Sequence, residues 1–263
     1  MVDWYIGTMG FSYKDWSGVF YPAEVSTRDY LSYYSRVFNA AEIDSTFYGV
    51  PKAEYVLRWA EMTPQSFMFC VKTPRLITHE LGLLGAEGLM QEFLDTMTLL
   101  GDKLGVVLIQ FPPSFGAHNM DTLDGFLAKL PSDLRFAVEI RDRSWYTAGD
   151  QTADMLAKHG VAWAATQYPG LPREIHLTAG YVYVRWIGRH GTFDHHNQER
   201  IDRTQDLEGW WRLIQGVQTE IEAFYGFTNN DYAGFAAATA NRFKKIAGLP
   251  TKPLFRPRQP RLF

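Results

Sequence analysis

Short runs of apolar residues alternate along the chain with longer stretches in which apolar positions recur every three or four residues. The short runs are "DWYIGT" (3–8), "AAEIDSTF" (40–47), "SFMFCVK" (66–72), "GVVLIQF" (105–111), "RFAVEIR" (135–141), "VAWAATQ" (161–167), "YVYVRWI" (181–187) and "EAFYGFT" (222–228). Their length and apolar content predict eight strands. Between them, "TRDYLSYYSRVF", "KAEYVLRWAEM", "EGLMQEFLDTMTLLG", "MDTLDGFLAKL", "DQTADMLAKHG", "LEGWWRLIQGVQTEI" and "YAGFAAATANRFKKIAG" carry the period of amphipathic helices. The sixth interval, "YPGLPREIHLTAG", holds too much Pro and Gly for a helix and predicts an irregular connection.

Strands apolar on both faces, alternating with helices, predict a parallel sheet covered by helices. A single α/β domain of the (β/α)8 TIM-type barrel class over residues 1–250 is favoured over an open doubly wound sheet. No Gly-rich phosphate fingerprint follows the first strand, and eight strands suffice to close a barrel. Residues 251–263, "TKPLFRPRQPRLF", differ in kind. Their prolines exclude helix, and basic residues between spaced apolar ones predict an extended basic C-terminal arm packed on the barrel. A polybasic contact to nucleic acid is the alternative for that arm.

Composition narrows the function classes. With 263 residues, 46% of them apolar, the chain can bury a large core. A net charge of −3 gives no general attraction to phosphate backbones or anionic membranes, so nucleic acid is possible but not favoured as a partner. The single cysteine, Cys70, excludes an intramolecular disulfide and fits a reducing compartment. The start "MVDWYIGTMGF" lacks a basic region followed by an apolar one, and no run reaches the roughly 18 apolar residues needed to span a bilayer. The expectation is a cytoplasmic protein with no membrane partner; nothing in the composition bears on oligomeric state.

In an α/β barrel, polar side chains near the carboxyl ends of strands face a common mouth. Taking alternate residues as facing one way, Glu42, Asp44 and Thr46 share a face of the second strand. Lys72 ends the third, Gln110 lies near the end of the fourth, and Glu139 and Arg141 share a face of the fifth. Arg185 is late on the seventh, and Asn229 and Asn230 follow the eighth. Mutual neutralisation explains part of this set, because an unpaired buried charge costs several kcal/mol. A purely structural layer would be filled with Val, Ile and Leu, so the surplus predicts a site for a small polar anionic ligand held by Lys72, Arg141 and Arg185.

Aromatic residues make up 15% of the chain, and "GFSYKDWSGVFYP" after the first strand places five at the mouth, beside Tyr48, Trp145 and Trp186. They predict either stacking faces for a sugar or base, or a loop collapsed on itself. No motif implies a cofactor. A divalent metal is possible, with His190, Asp194 and His195 of "RHGTFDHHNQER" as its candidate ligands, although their spacing matches no helix-borne ligand pair.

The stretches "GTMGFSYKDWSGVFYP", "EIDSTFYG", "FCVKTPRLITH", "GDKLGVVLIQFPPSF", "AVEIRDRSW", "YVRWIGR" and "FTNNDYAGFAAATA" together resemble the domain-of-unknown-function 72, or YecE-like, proteins. The resemblance runs from residue 7 to about 240 and implies an α/β barrel, but no activity. Likeness of the fold to metal-dependent barrel endonucleases has suggested nucleic-acid or phosphate-ester chemistry for the family, which is analogy at the level of fold. Positions matching the family pattern are Glu42, Thr46, Tyr48, Lys72, His79, Gln110, Glu139, Arg141, Arg185, Asn229 and Asn230. The chain departs from it at Asp44, usually Asn; at Gly49, often Arg; at Met9, usually a small hydroxyl residue; and at Ile187, usually His.

The reading that results is a barrel enzyme of hydrolase or lyase type, acting on a sugar- or nucleotide-like ligand with an anionic group. Glu42, Asp44 and Glu139 would be the catalytic carboxylates, with Thr46, Tyr48, Lys72, His79, Gln110, Arg141, Arg185, Asn229 and Asn230 around the ligand. The alternative is a non-catalytic nucleic-acid or nucleotide binding protein using the same aromatic and basic mouth.

Overall fold

The computed structural model describes residues 2–254. Nine parallel strands, β1 (Asp3–Met9), β2 (Ala40–Ile43), β3 (Met68–Lys72), β4 (Leu104–Gln110), β5 (Phe136–Glu139), β6 (Ala162–Trp163), β7 (Ala165–Gln167), β8 (Tyr181–Trp186) and β9 (Ala223–Thr228), are joined in the order β6-β5-β4-β3-β2-β1-β9-β8-β7. The ends of that order are one stretch of chain interrupted at Ala164. Its first half pairs with β5 and its second with β8, so the sheet comes back on itself as a nearly closed barrel. The predicted sixth strand is therefore the seam, split because it must serve neighbours on both sides.

Strand β4 shows why these runs are strands. In "LGVVLIQ" every residue after the first is buried, with Val106 and Leu108 facing the barrel interior and Val107 and Ile109 packing outward. Both faces are dry, as a helix-covered parallel sheet requires. The interior is filled by a few large side chains against small ones: Tyr5, Tyr181, Tyr183 and Tyr225 beside Ala137, Ala162 and Ala223. Helices α1 (Tyr30–Tyr34), α2 (Ala53–Glu61), α3 (Glu87–Met97), α4 (Met120–Leu127), α5 (Ser144–Thr147), α6 (Gly149–Lys158) and α7 (Thr204–Val217) lie between the strands, and α8 (Asn230–Ala233) and α9 (Ala236–Ile246) follow the last. The sixth connection has no helix, as its Pro and Gly content predicts. No helix among the described residues is long and apolar enough to cross a membrane.

One expectation changes, and one of two open readings is taken. The second strand ends at Ile43, and Asp44–Phe47 form a 3-10 turn. Thr46 closes this turn, its Oγ1 donating toward the carbonyl of Ile43 at 2.8 Å and that of Lys72 at 2.6 Å. The shared strand face expected of Glu42, Asp44 and Thr46 is therefore broken after Glu42, and Thr46 fastens the backbone instead of facing the mouth. The aromatic loop after β1 takes the self-collapsed form: Trp16, Phe20 and Tyr21 are fully buried, and Tyr21 stacks on Tyr30 at 3.8 Å. Of the C-terminal arm, residues 255–263 lie outside the described residues. Where it begins, the Lys252 carbonyl accepts from Asn241 Nδ2 of α9 at 2.9 Å, and Lys252 Nζ donates to the carbonyl of Arg36.

Candidate functional site

The inward alternation of β8 places Tyr181, Tyr183 and Arg185 in the barrel interior, with Arg185 uppermost. Its guanidinium is clasped from two sides. Nε donates to Glu42 Oε2 at 2.9 Å and Nη2 to Glu42 Oε1 at 2.6 Å, while Nη1 donates to Glu139 Oε2. The remaining oxygen of Glu139 accepts from Arg141 Nε at 2.6 Å, and Glu42 Oε2 also accepts from the Tyr183 hydroxyl at 2.7 Å. Asp44 Oδ1 stands 3.6 Å from Arg185 Nη2, and no hydrogen bond reaches it. Three carboxylates and three cations, counting Lys72, thus cancel in a layer drawn from β2, β3, β5 and β8.

The two fully buried carboxyl groups are shifted in opposite directions. Burial pushes Glu42 up to about 7, with Asp44 adding to the rise against the pull of Arg185. Burial acts the same way on Glu139, but Arg141 and Arg185 outweigh it and hold the carboxyl at about 2. The environment thus separates two like groups by the number of cations each meets. Burial opposes the charge on Arg185, yet Glu139, Glu42 and Asp44 keep it well above the ordinary guanidinium range.

Above this layer opens a cavity of about 460 Å³ at the carboxyl ends of the strands. Asp44, Lys72, Arg141, Arg185, Arg189, Tyr48 and Asn229 line it, together with two aromatics that strand alternation does not single out, Phe47 and Tyr168. Lys72 Nζ sits 3.8 Å over the Phe47 ring, and the Arg141 guanidinium lies 4.6 Å over Tyr168. Burial, helped by the charge of Arg185, pulls Lys72 down to about 8. Gly188, after β8, crosses so close to α8 that a Cβ there would fall 1.8 Å from the Asp231 carbonyl oxygen, which only glycine avoids.

The expected site residues differ in how they stand to this cavity. Glu42 and Glu139 form its floor and do not line it. Gln110 is buried, with its amide donating to the carbonyl of Phe111. Asn230 caps packing, accepting from the Trp16 indole at 3.3 Å and from the Ala236 backbone at 3.0 Å. His79, on a π-helical turn (Leu76–Glu80), bonds to Thr78 and meets the edge of Phe47 at 4.9 Å; burial and Lys72 bring it down to about 4, so it is neutral near pH 7. Asn229 lines the cavity while accepting from the Gly188 backbone at 3.0 Å. Tyr48 is 85% exposed at the rim.

The three candidate metal ligands do not converge. His190 Nδ1 stands 3.6 Å from Asp231, His195 Nδ1 stands 3.8 Å from Asp15, and Asp194 is exposed. The loop carrying them folds down against α8 and the first loop, which separates neighbours in sequence. Among the described residues, no group of three or more His, Cys, Asp or Glu side chains is placed to hold a metal ion. Tyr183 is the partner that sequence reasoning overlooked although the alternation Tyr181, Tyr183, Arg185 points to it. Tyr168 had no such signal, since it lies in the aperiodic sixth connection.

Comparison with known proteins places this geometry in a family. The UPF0759 protein YecE of Escherichia coli (strain K12) is 37% identical over 121 residues, 46% of this chain and 44% of that protein, so the match spans less than half of that relative. The UPF0759 protein YunF of Bacillus subtilis (strain 168) is 27% identical over 98% of this chain and 99% of its own length. A crystal structure of a DUF72 family protein from Thermotoga maritima superposes with a TM-score of 0.79 at 30% identity, over 94% of this chain and 99% of that one. One from Enterococcus faecalis gives 0.78 at 23% identity, over 97% and 99%, a likeness of fold alone. The family model "Protein of unknown function DUF72" matches residues 5–262, and the chain belongs to the DUF72 family, sharing its barrel.

Proposed function

We propose that the protein is an enzyme of hydrolase or lyase type whose cavity binds a small polar ligand bearing a phosphate or carboxylate group. The supporting observation is the division of charge between cavity wall and floor. Lys72, Arg141, Arg185 and Arg189 line the wall against a single carboxylate, Asp44, while Glu42 and Glu139 hold the arginines from beneath. Once Glu42 and Glu139 have taken their bonds, Lys72, Arg189 and the outer nitrogens of Arg141 keep donor capacity toward the cavity, the condition for anion capture. Asp44 would be the acid or base that meets the ligand, and Glu42 and Glu139 would position Arg185 and Arg141.

Titration calorimetry with inorganic phosphate tests the reading. Wild type should bind it, and Arg141→Met should weaken binding by about ten- to a hundredfold, the worth of a charged hydrogen bond. Asp44→Asn should retain phosphate binding and lose turnover of whatever substrate a metabolite screen identifies. Phosphate affinity that is absent, or untouched by Arg141→Met, refutes the anion site. The exposed ring of Tyr48, which lines the same cavity as Arg189, supports a second reading, single-stranded nucleic acid binding. That reading requires affinity for an oligonucleotide that falls steeply with salt.

A further inference from the structure

Lys72 is the last residue of β3, buried, with its ammonium over an aromatic face and turned to the cavity. Among the described residues it has no carboxylate within ion-pair distance, and only long-range attraction from Asp44, Glu139 and Glu42 reaches it. The other buried lysine, Lys103, donates to three oxygens. A lysine desolvated on hydrocarbon, beside another cation and without a fixed acceptor, has the surroundings of an activated amine nucleophile.

We propose that Lys72 captures the carbonyl group of an anion-bearing ligand as an imine, so that the ligand class is small aldehydes or ketones carrying a carboxylate or phosphate. The inference rests on the anion site proposed above and assigns the reacting group within it. The Nζ lone pair adds to the carbonyl carbon, and the oxygen takes a proton to give a carbinolamine. The hydroxyl then departs as water while nitrogen gives up a proton, leaving C=N; one amine and one carbonyl become one imine and one water, with no oxidant or reductant. Asp44, on the same wall, is the carboxylate available to carry the proton. The groups facing Lys72 are Arg185 from β8, Asp44 and Glu42 at the end of β2, Glu139 and Arg141 at the end of β5, and His79, which is neutral near pH 7. With the amine at about 8, its neutral fraction at pH 7 exceeds that of an ordinary lysine on the order of a hundredfold.

Reductive trapping decides the matter. The full chain is incubated with glyoxylate, an anionic aldehyde, or with acetaldehyde, a neutral one, in the presence of cyanoborohydride, and adducts are mapped by peptide mass spectrometry. Lys72 should be labelled ahead of the surface lysines, on the order of tenfold faster by glyoxylate than by acetaldehyde, and inorganic phosphate should protect it. The rate should climb with pH through about 8. Lys72→Arg, which keeps the charge, should lose the adduct while keeping its melting temperature. Labelling spread over surface lysines, or equal in Lys72→Arg, overturns the nucleophile even if phosphate still binds. Selective labelling of Lys72 at equal rates by both aldehydes supports the nucleophile and removes the anion site instead.

Discussion

Lys103 leads into β4 at the lower end of the barrel, Lys72 leaves β3 at the upper end, and the two buried ammonium groups are satisfied in opposite ways. Lys103 donates to the carbonyls of Ala60 and Thr63 at 2.5 and 2.7 Å and to Thr63 Oγ1 at 3.3 Å, tying the end of α2 to the barrel. Lys72 has an aromatic ring beneath it and an open cavity in front. The arginines repeat the contrast. Arg135, just before β5, meets the neutral hydroxyl of Tyr225 at 2.9 Å and lies 5.6 Å from the Tyr181 ring, whereas Arg185 is locked between two buried carboxylates. A closed set of neutral oxygens makes the lower end a plug. At the upper end charges balance in number while hydrogen-bonding capacity is left over, and that surplus marks a place prepared for a ligand.

The strongest way to break this comparison is to remove the two arginines in turn. Arg185→Met leaves Glu42 and part of Glu139 buried without their main partner, a loss of about 3–5 kcal/mol in urea unfolding. Arg135→Met gives up one hydrogen bond to a neutral group at a partly exposed position and should cost no more than about 1 kcal/mol. Equal losses would mean that both ends are structural plugs.

The upper layer was legible in the sequence as far as strand periodicity carries. Glu42, Lys72, Glu139 and Arg185 end runs whose apolar neighbours fix which way they face, and their convergence follows once eight strands close. The misplaced residues sit where the backbone leaves that period. Asp, Ser and Thr are residue types that favour turns, and Thr46 bonds back to the Ile43 carbonyl, so the strand ends at Ile43 although the apolar run extends to Phe47. Phe47 thereby lies under Lys72. The difference between Lys72 and Lys103 has no local signal at all, because it depends on which carbonyls residues forty positions away bring near.

The lysines sharpen the comparison with a smaller effect and a difference of sign. Lys103→Met takes the donor from three oxygens, leaving the Thr63 carbonyl without it in a buried place, and should cost about 1–3 kcal/mol. Lys72→Met removes a desolvated charge that has no hydrogen-bond acceptor and sets a thioether on Phe47, so stability should be unchanged or raised by up to about 1 kcal/mol, while phosphate binding falls. Parallel losses of stability in both variants would make Lys72 a structural group.

The smallest effect separates the two carboxylates that flank Arg185. Glu139 is held at about 2 in the folded protein, below its ordinary value of 4.5, so its contribution is present above pH 4.5 and is lost as pH falls toward 2. Glu42 is raised to about 7, so its contribution has the opposite sign: it is complete below pH 4.5 and is lost as pH rises through 7, because the unfolded chain ionises first. Between pH 4.5 and 7 Glu42 therefore lowers the stability of the wild type, while His79, held at about 4 and below its ordinary 6.5, raises it, so the Glu42 part is read as the difference between wild type and Glu42→Gln. Glu42→Gln cannot ionise and should flatten that decline. Glu139→Gln should leave the window unchanged and flatten only the acid limb below it. Urea unfolding at half-unit pH steps reads both slopes. If Glu42→Gln declines as steeply as wild type, Glu42 is ionised throughout, and the paired carboxylates beneath the cavity differ in geometry but not in protonation.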